Sequence, residues 1–72
     1  MSTSVTVSVS VNGERREIVP GTALDTVVRS LAPAPSGVAA AVNETVVPRA
    51  QWATTALAEG DRVEILTAVQ GG

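Results

Sequence analysis

The chain has 72 residues, five of them Arg and none Lys, against seven acidic residues, so its net charge is −2; it is long enough for one small domain and shows no basic stripe for nucleic acid. It contains no Cys and no His, which excludes disulfides, thiolate nucleophiles, imidazole bases and the usual zinc ligands. No apolar run approaches the ~20 residues of a membrane-spanning helix, and the opening MSTSVTVSVS lacks the charged and apolar regions of a signal peptide, so the expected setting is cytoplasmic.

From Val5 to Val11 apolar and polar residues alternate, with Val5, Val7, Val9 and Val11 on one face and Thr6, Ser8 and Ser10 on the other. This is the period of a half-buried strand. Asn12-Gly13 follows and suits a two-residue hairpin turn, because both positions tolerate positive φ. The return strand is expected over Glu14 to Val19, closed by Pro20-Gly21. Arg15 and Arg16 on that strand read as a solvated face.

Thr22-Ala23-Leu24-Asp25 has the spacing of a helix start, with Thr22 capping backbone amides and Asp25 near the positive end of the dipole. Leu24, Val27, Val28 and Leu31 then fall on one face, and Pro33 and Pro35 stop the helix. Val38 to Val42 is short and apolar throughout, consistent with a strand buried on both sides or lying under the helix. Asn43-Glu44 turns the chain into a short strand, Thr45 to Val47, ended by Pro48. Arg49 to Glu59 has no clear period; one helical turn is expected near Ala50 to Trp52, before an irregular crossing. Gly60-Asp61 turns again, and Arg62 to Ala68 alternates as a closing strand, with Val63, Ile65 and Thr67 on one face and Arg62, Glu64, Leu66 and Ala68 on the other.

One helix and a mixed sheet of four to five strands give an α+β class, with the helix laid across one sheet face to bury both apolar surfaces. The long connection between the first and last strands allows them to run parallel, side by side. Residues 1–72 are expected to form this single domain, with residues 67–72 as a flexible tail. Phe and Tyr are absent, so the core must come from Val, Leu, Ile and Ala, with Trp52 packed under the irregular segment rather than anchoring an interface. Arg49 and Asp61 pair with each other or a partner, or are simply solvated.

Gly71 and Gly72 lack side chains and can enter a narrow cleft in another protein without steric penalty. An α-carboxyl has a pKa of about 3.3 to 3.7, so at neutral pH it is an anion and a poor electrophile. A nucleoside triphosphate can convert it to an acyl-adenylate, from which a sulfur nucleophile gives a thioester or thiocarboxylate. This chain has no groups to perform either step, and without lysine it cannot link to its own copies by isopeptide bonds. The competing reading of the two glycines is a frayed, inert terminus.

Val42-Asn43, Val-Val-Pro-Arg at Val46 to Arg49, Trp52, Gly-Asp-x-Val-Glu-Ile at Gly60 to Ile65 and the ending Ala-Val-x-Gly-Gly together resemble the ThiS family, the sulfur carriers of thiamin thiazole biosynthesis. With the Asn12-Gly13 hairpin and the helix in the same order, the resemblance covers nearly the whole chain after Ser4. It implies a ubiquitin-like β-grasp fold in which Gly72 bears the sulfur and Gly71 gives access. The same resemblance implies three partners. An E1-like adenylating enzyme uses ATP and magnesium on the C-terminal carboxylate, a sulfur donor such as a cysteine desulfurase supplies the thiocarboxylate, and thiazole synthase receives the sulfur. The chain itself is then a protein co-substrate, not an enzyme, and binds no cofactor or metal. Leu66, Ala68, Val69 and Gln70 are the expected partner-binding residues; Gln70, where relatives often carry a third glycine, and Met1 to Ser4 are departures from the family pattern. The rivals are the related sulfur carrier subunit of molybdopterin synthase, a ubiquitin-like protein modifier, and a plain binding module with an inert tail. The molybdopterin carriers usually place a Pro-rich, more apolar segment before the glycines, unlike Thr67-Ala68-Val69-Gln70.

Overall fold

A computed structural model of the chain describes residues 5–32 and 37–67. Two strands form first, β1 (Val7–Val11) and β2 (Glu14–Ile18), paired antiparallel from Val7↔Ile18 to Val11↔Glu14. Asn12 (φ 52°) and Gly13 (φ 83°) make the tight turn between them, both in the positive-φ region that a type I′ hairpin requires. Adjacent residues of a strand point to opposite faces, so Arg15 and Arg16 do not share one. Both are nevertheless exposed, and they pair with Glu17 at 3.6 Å and Glu14 at 3.4 Å.

Helix α1 (Leu24–Leu31) buries Leu24, Val27 and Val28, while Leu31 is left 38% exposed. Thr22 does not cap it: the N-cap is Ala23, without a side-chain hydrogen bond. The Thr22 hydroxyl donates instead to the Val19 carbonyl, closing the turn at Pro20-Gly21. The helix needs no side-chain cap for its first amide, because Leu24 N–H donates to the Thr55 carbonyl at 2.8 Å and Leu57 N–H to the Thr22 carbonyl at 2.9 Å. A bridge between Ala23 and Ala56 thus replaces the expected cap. Asp25 does sit in the first turn, paired with Arg29 one turn on at 3.2 Å. Ala32, the residue before Pro33, is extended at φ −132° and ψ 94°, as a following proline favours.

Strands β3 (Val38–Val42) and β4 (Thr45–Val47) form a second hairpin through Asn43 and Glu44, both at positive φ. β3 is not buried on both sides: Ala40 is buried, but Ala39 is exposed, because only one sheet face is covered. The segment after β4 is more regular than its sequence suggests, a six-residue 3₁₀ helix, Arg49–Thr54, rather than one turn. Trp52 lies in it, 2% exposed, and its indole N–H donates to the Val47 carbonyl at 2.8 Å. The packing reading of Trp52 is the correct one.

The last strand, β5 (Arg62–Thr67), enters the middle of a five-stranded sheet of order β2-β1-β5-β3-β4. It runs parallel to β1 and antiparallel to β3, as the expected topology requires. Val9, Val11, Ala40, Val63 and Ile65 from the sheet meet Leu24, Val27, Val28 and Ala32 of the helical side, and Trp52 and Leu57 close the core. No helix among the described residues is long and apolar enough to cross a membrane.

Candidate functional site

The strand that leads toward Gly71-Gly72 is the central one of the sheet. On one flank β3 pairs with β5 from Val42↔Val63 to Val38↔Thr67. On the other flank β1 pairs only at its start, Ser10↔Arg62 and Val11↔Val63. Two asparagines extend this support. Asn12 N–H donates to the Val63 carbonyl at 2.8 Å, and the Asn12 carboxamide then accepts from Ile65 N–H at 2.8 Å and donates to the Ile65 carbonyl at 3.1 Å. At the opposite end of β5, Asn43 N–H donates to the Arg62 carbonyl at 2.7 Å, and its side-chain oxygen accepts from Arg62 N–H at 2.9 Å. Each asparagine therefore turns a hairpin and clasps the central strand.

Asp61 fixes the entry to β5. Its carboxylate accepts from Ala58 N–H at 2.8 Å and from the Asn43 side-chain amide at 3.0 Å. It does not pair with Arg49, which lies beside Asp25, Arg29, Trp52 and Ala53 at a shallow surface cleft.

The sheet face away from α1 has two halves. Toward β2 it carries Ser8, Ser10, Arg15 and Glu17, with Arg62 and Glu64 of β5 beside them. Toward β4 it is apolar: Leu66 stands opposite Ala39, and Ala41 lies between Glu64 and Val46. Leu66 and Val46 are each 70% exposed, so this strip is uncovered apolar surface adjoining the end of β5. Of the residues expected to bind partners, Leu66 is thus exposed beside the last strand residue. Ala68, Val69, Gln70, Gly71 and Gly72 lie outside the described residues. Thr67, expected both within the closing strand Arg62 to Ala68 and at the start of the tail, is the final residue of β5.

Sequence reasoning missed the second role of Asn12. An Asn-Gly pair announces a hairpin whatever its side chain does, and the identity of Asn, where Asp would turn equally well, was the available signal. Among the described residues no group of acidic side chains could hold a metal ion.

The family model for the ThiS family matches residues 9–72. The crystal structure of a thiamine biosynthesis protein (ThiS) from Geobacter metallireducens superposes with a TM-score of 0.73 at 25% identity, over 92% of this chain and 100% of that one. No curated protein matches the chain. The match over residues 9–72, with the same fold in the solved relative, shows that this chain belongs to the ThiS family of ubiquitin-like β-grasp sulfur carriers.

Proposed function

We propose that the chain carries sulfur to thiazole synthase as a thiocarboxylate on Gly72, and acts as a protein co-substrate of other enzymes. The observation that carries this reading is that β5, held by β3 along its length and by β1 and Asn12 as far as Ile65, leads through Thr67 toward the glycine pair Gly71-Gly72. Residues 68–72 span at most about 17 Å, long enough to enter a partner's cleft while the domain docks outside it.

The chemistry balances without a group from this chain other than the carboxylate. One carboxylate oxygen of Gly72 attacks the α-phosphorus of ATP, bound with magnesium on an E1-like partner, and pyrophosphate leaves. Hydrosulfide attacks the acyl-adenylate carbon and AMP leaves, giving the thiocarboxylate directly. Where the persulfide of a donor such as a cysteine desulfurase attacks instead, the acyl disulfide so formed is cleaved by a second thiol, which is oxidised to a disulfide as the thiocarboxylate is released. The resulting thiocarboxylate delivers its sulfur on thiazole synthase. Gly71 lets the terminus pass a narrow channel, since neither last residue has a Cβ. Leu66 docks the partner through the apolar strip, and Ala68, Val69 and Gln70 line its entrance.

The test is ATP–pyrophosphate exchange catalysed by the activating enzyme from the same cells. Exchange is expected with the full chain and is lost when Gly72 is deleted. Equal exchange with the shortened chain would contradict an adenylate at Gly72.

A further inference from the structure

The flank of β5 toward β1 is closed by a side chain rather than by a strand. β1 pairs with β5 as far as Val63, and the next hydrogen bonds on that flank are the two made by the Asn12 carboxamide to Ile65, at 2.8 and 3.1 Å. An amide group carries an acceptor and paired donors in one plane, so this carboxamide makes both of the bonds to Ile65 that a longer β1 would otherwise supply. Asp would satisfy the same turn but would set a carboxylate oxygen against the Ile65 carbonyl. These bonds are partly buried, and they lie at the end of β5 from which residues 68–72 depart.

We infer that Asn12 is a positioning residue for the transfer reaction: its clasp on Ile65 sets the point at which the chain loses two-sided support, and so the direction in which the tail is presented to the activating enzyme. This rests on the function proposed above. Without the clasp, the last part of β5 is held by β3 alone and samples more directions. A partner must then order it on binding, a cost that falls on association rather than on the chemical step.

Asn43 supplies an internal control. It makes a similar pair of side-chain bonds, to Arg62 and Asp61, at the other end of the same strand. Asn12→Gly and Asn43→Gly both keep their turns, because glycine adopts positive φ freely. Each loses side-chain hydrogen bonds to the β5 region, but only the first loosens the end that leads to Gly72.

The experiment measures amide exchange at Ile65 and ATP–pyrophosphate exchange by the activating enzyme over a range of carrier concentrations. In Asn12→Gly, Ile65 exchange is expected to rise about tenfold, and the KM for the carrier about fivefold with kcat unchanged. Asn43→Gly is expected to leave that KM at its original value. Unchanged Ile65 exchange in Asn12→Gly would overturn the clasp. Faster exchange with an unchanged KM, or an equal KM rise in Asn43→Gly, would overturn the positioning role while leaving the carrier function intact. No exchange activity with the unaltered chain would overturn the carrier function and this inference with it, a failure visible before any substitution is made.

Discussion

Trp52 offers the sharpest test of how the fold is held together, because a single substitution separates its ring from its hydrogen bond. Trp52→Phe keeps an aromatic ring in a site that is 2% exposed and removes the indole N–H that donates to the Val47 carbonyl at 2.8 Å. The lost part of the ring costs on the order of 1 kcal/mol at roughly 0.8 kcal/mol per buried methylene. The lost hydrogen bond adds about 1 kcal/mol net. The sum, about 2 kcal/mol, is a large share of the roughly 4 to 10 kcal/mol expected for a domain of this size. At a urea dependence of about 1 kcal/mol per molar, the unfolding midpoint should fall by about 2 M. Far-UV circular dichroism is the assay for both proteins, since Trp52 is the only aromatic residue and the variant has no tryptophan emission. Tryptophan emission of the unaltered chain should follow the same transition, as two-state unfolding requires. A midpoint shift under about 0.5 M would refute the reasoning, by showing that the 3₁₀ helix is not fastened to β4 through this residue.

Other predictions follow from the two ends of β5. Leu66→Gln should leave unfolding within about 0.5 kcal/mol of the original, because the side chain is 70% exposed. The same change should weaken binding to the activating enzyme about tenfold by titration calorimetry; unchanged affinity would remove Leu66 from the docking surface. Asp61→Ala leaves Ala58 N–H and the Asn43 amide without their acceptor, and should cost about 1 to 2 kcal/mol in urea unfolding. Asp61→Asn, which keeps one side-chain oxygen, should cost less.

Much of the fold was legible because its strands alternate. Val9 and Val11, then Val63 and Ile65, mark the inward face of β1 and β5, and the Asn-Gly turn fixes the first hairpin. Thr22 was misread because a local rule met a tertiary contact: Thr55 and Ala56 approach the start of α1 and take the amide a cap would have served. The burial of β3 could not be read from five consecutive small or branched apolar residues, since Ala39 and Ala41 suit either a covered or an open face. The 3₁₀ helix has no amphipathic period over six residues, and its anchor is a bond from Trp52 to a backbone carbonyl. The family was legible in the ordered motifs from Val42 to Gly72, and the family model over residues 9–72 bears it out. The absence of Cys and His and the two glycines beyond a closing strand pointed to a role for the terminus, which lies outside the described residues. The clasp of Asn12 on Ile65 spans more than fifty positions of sequence and needed the structure.

The central claim is tested most directly by the intact mass of the chain, and of a form lacking Gly72, after incubation with ATP and a sulfur source in an extract of its own cells. Replacement of one oxygen by one sulfur, confined to the full chain, is the predicted result. An unchanged mass, in an extract that thiolates a known carrier, would contradict it.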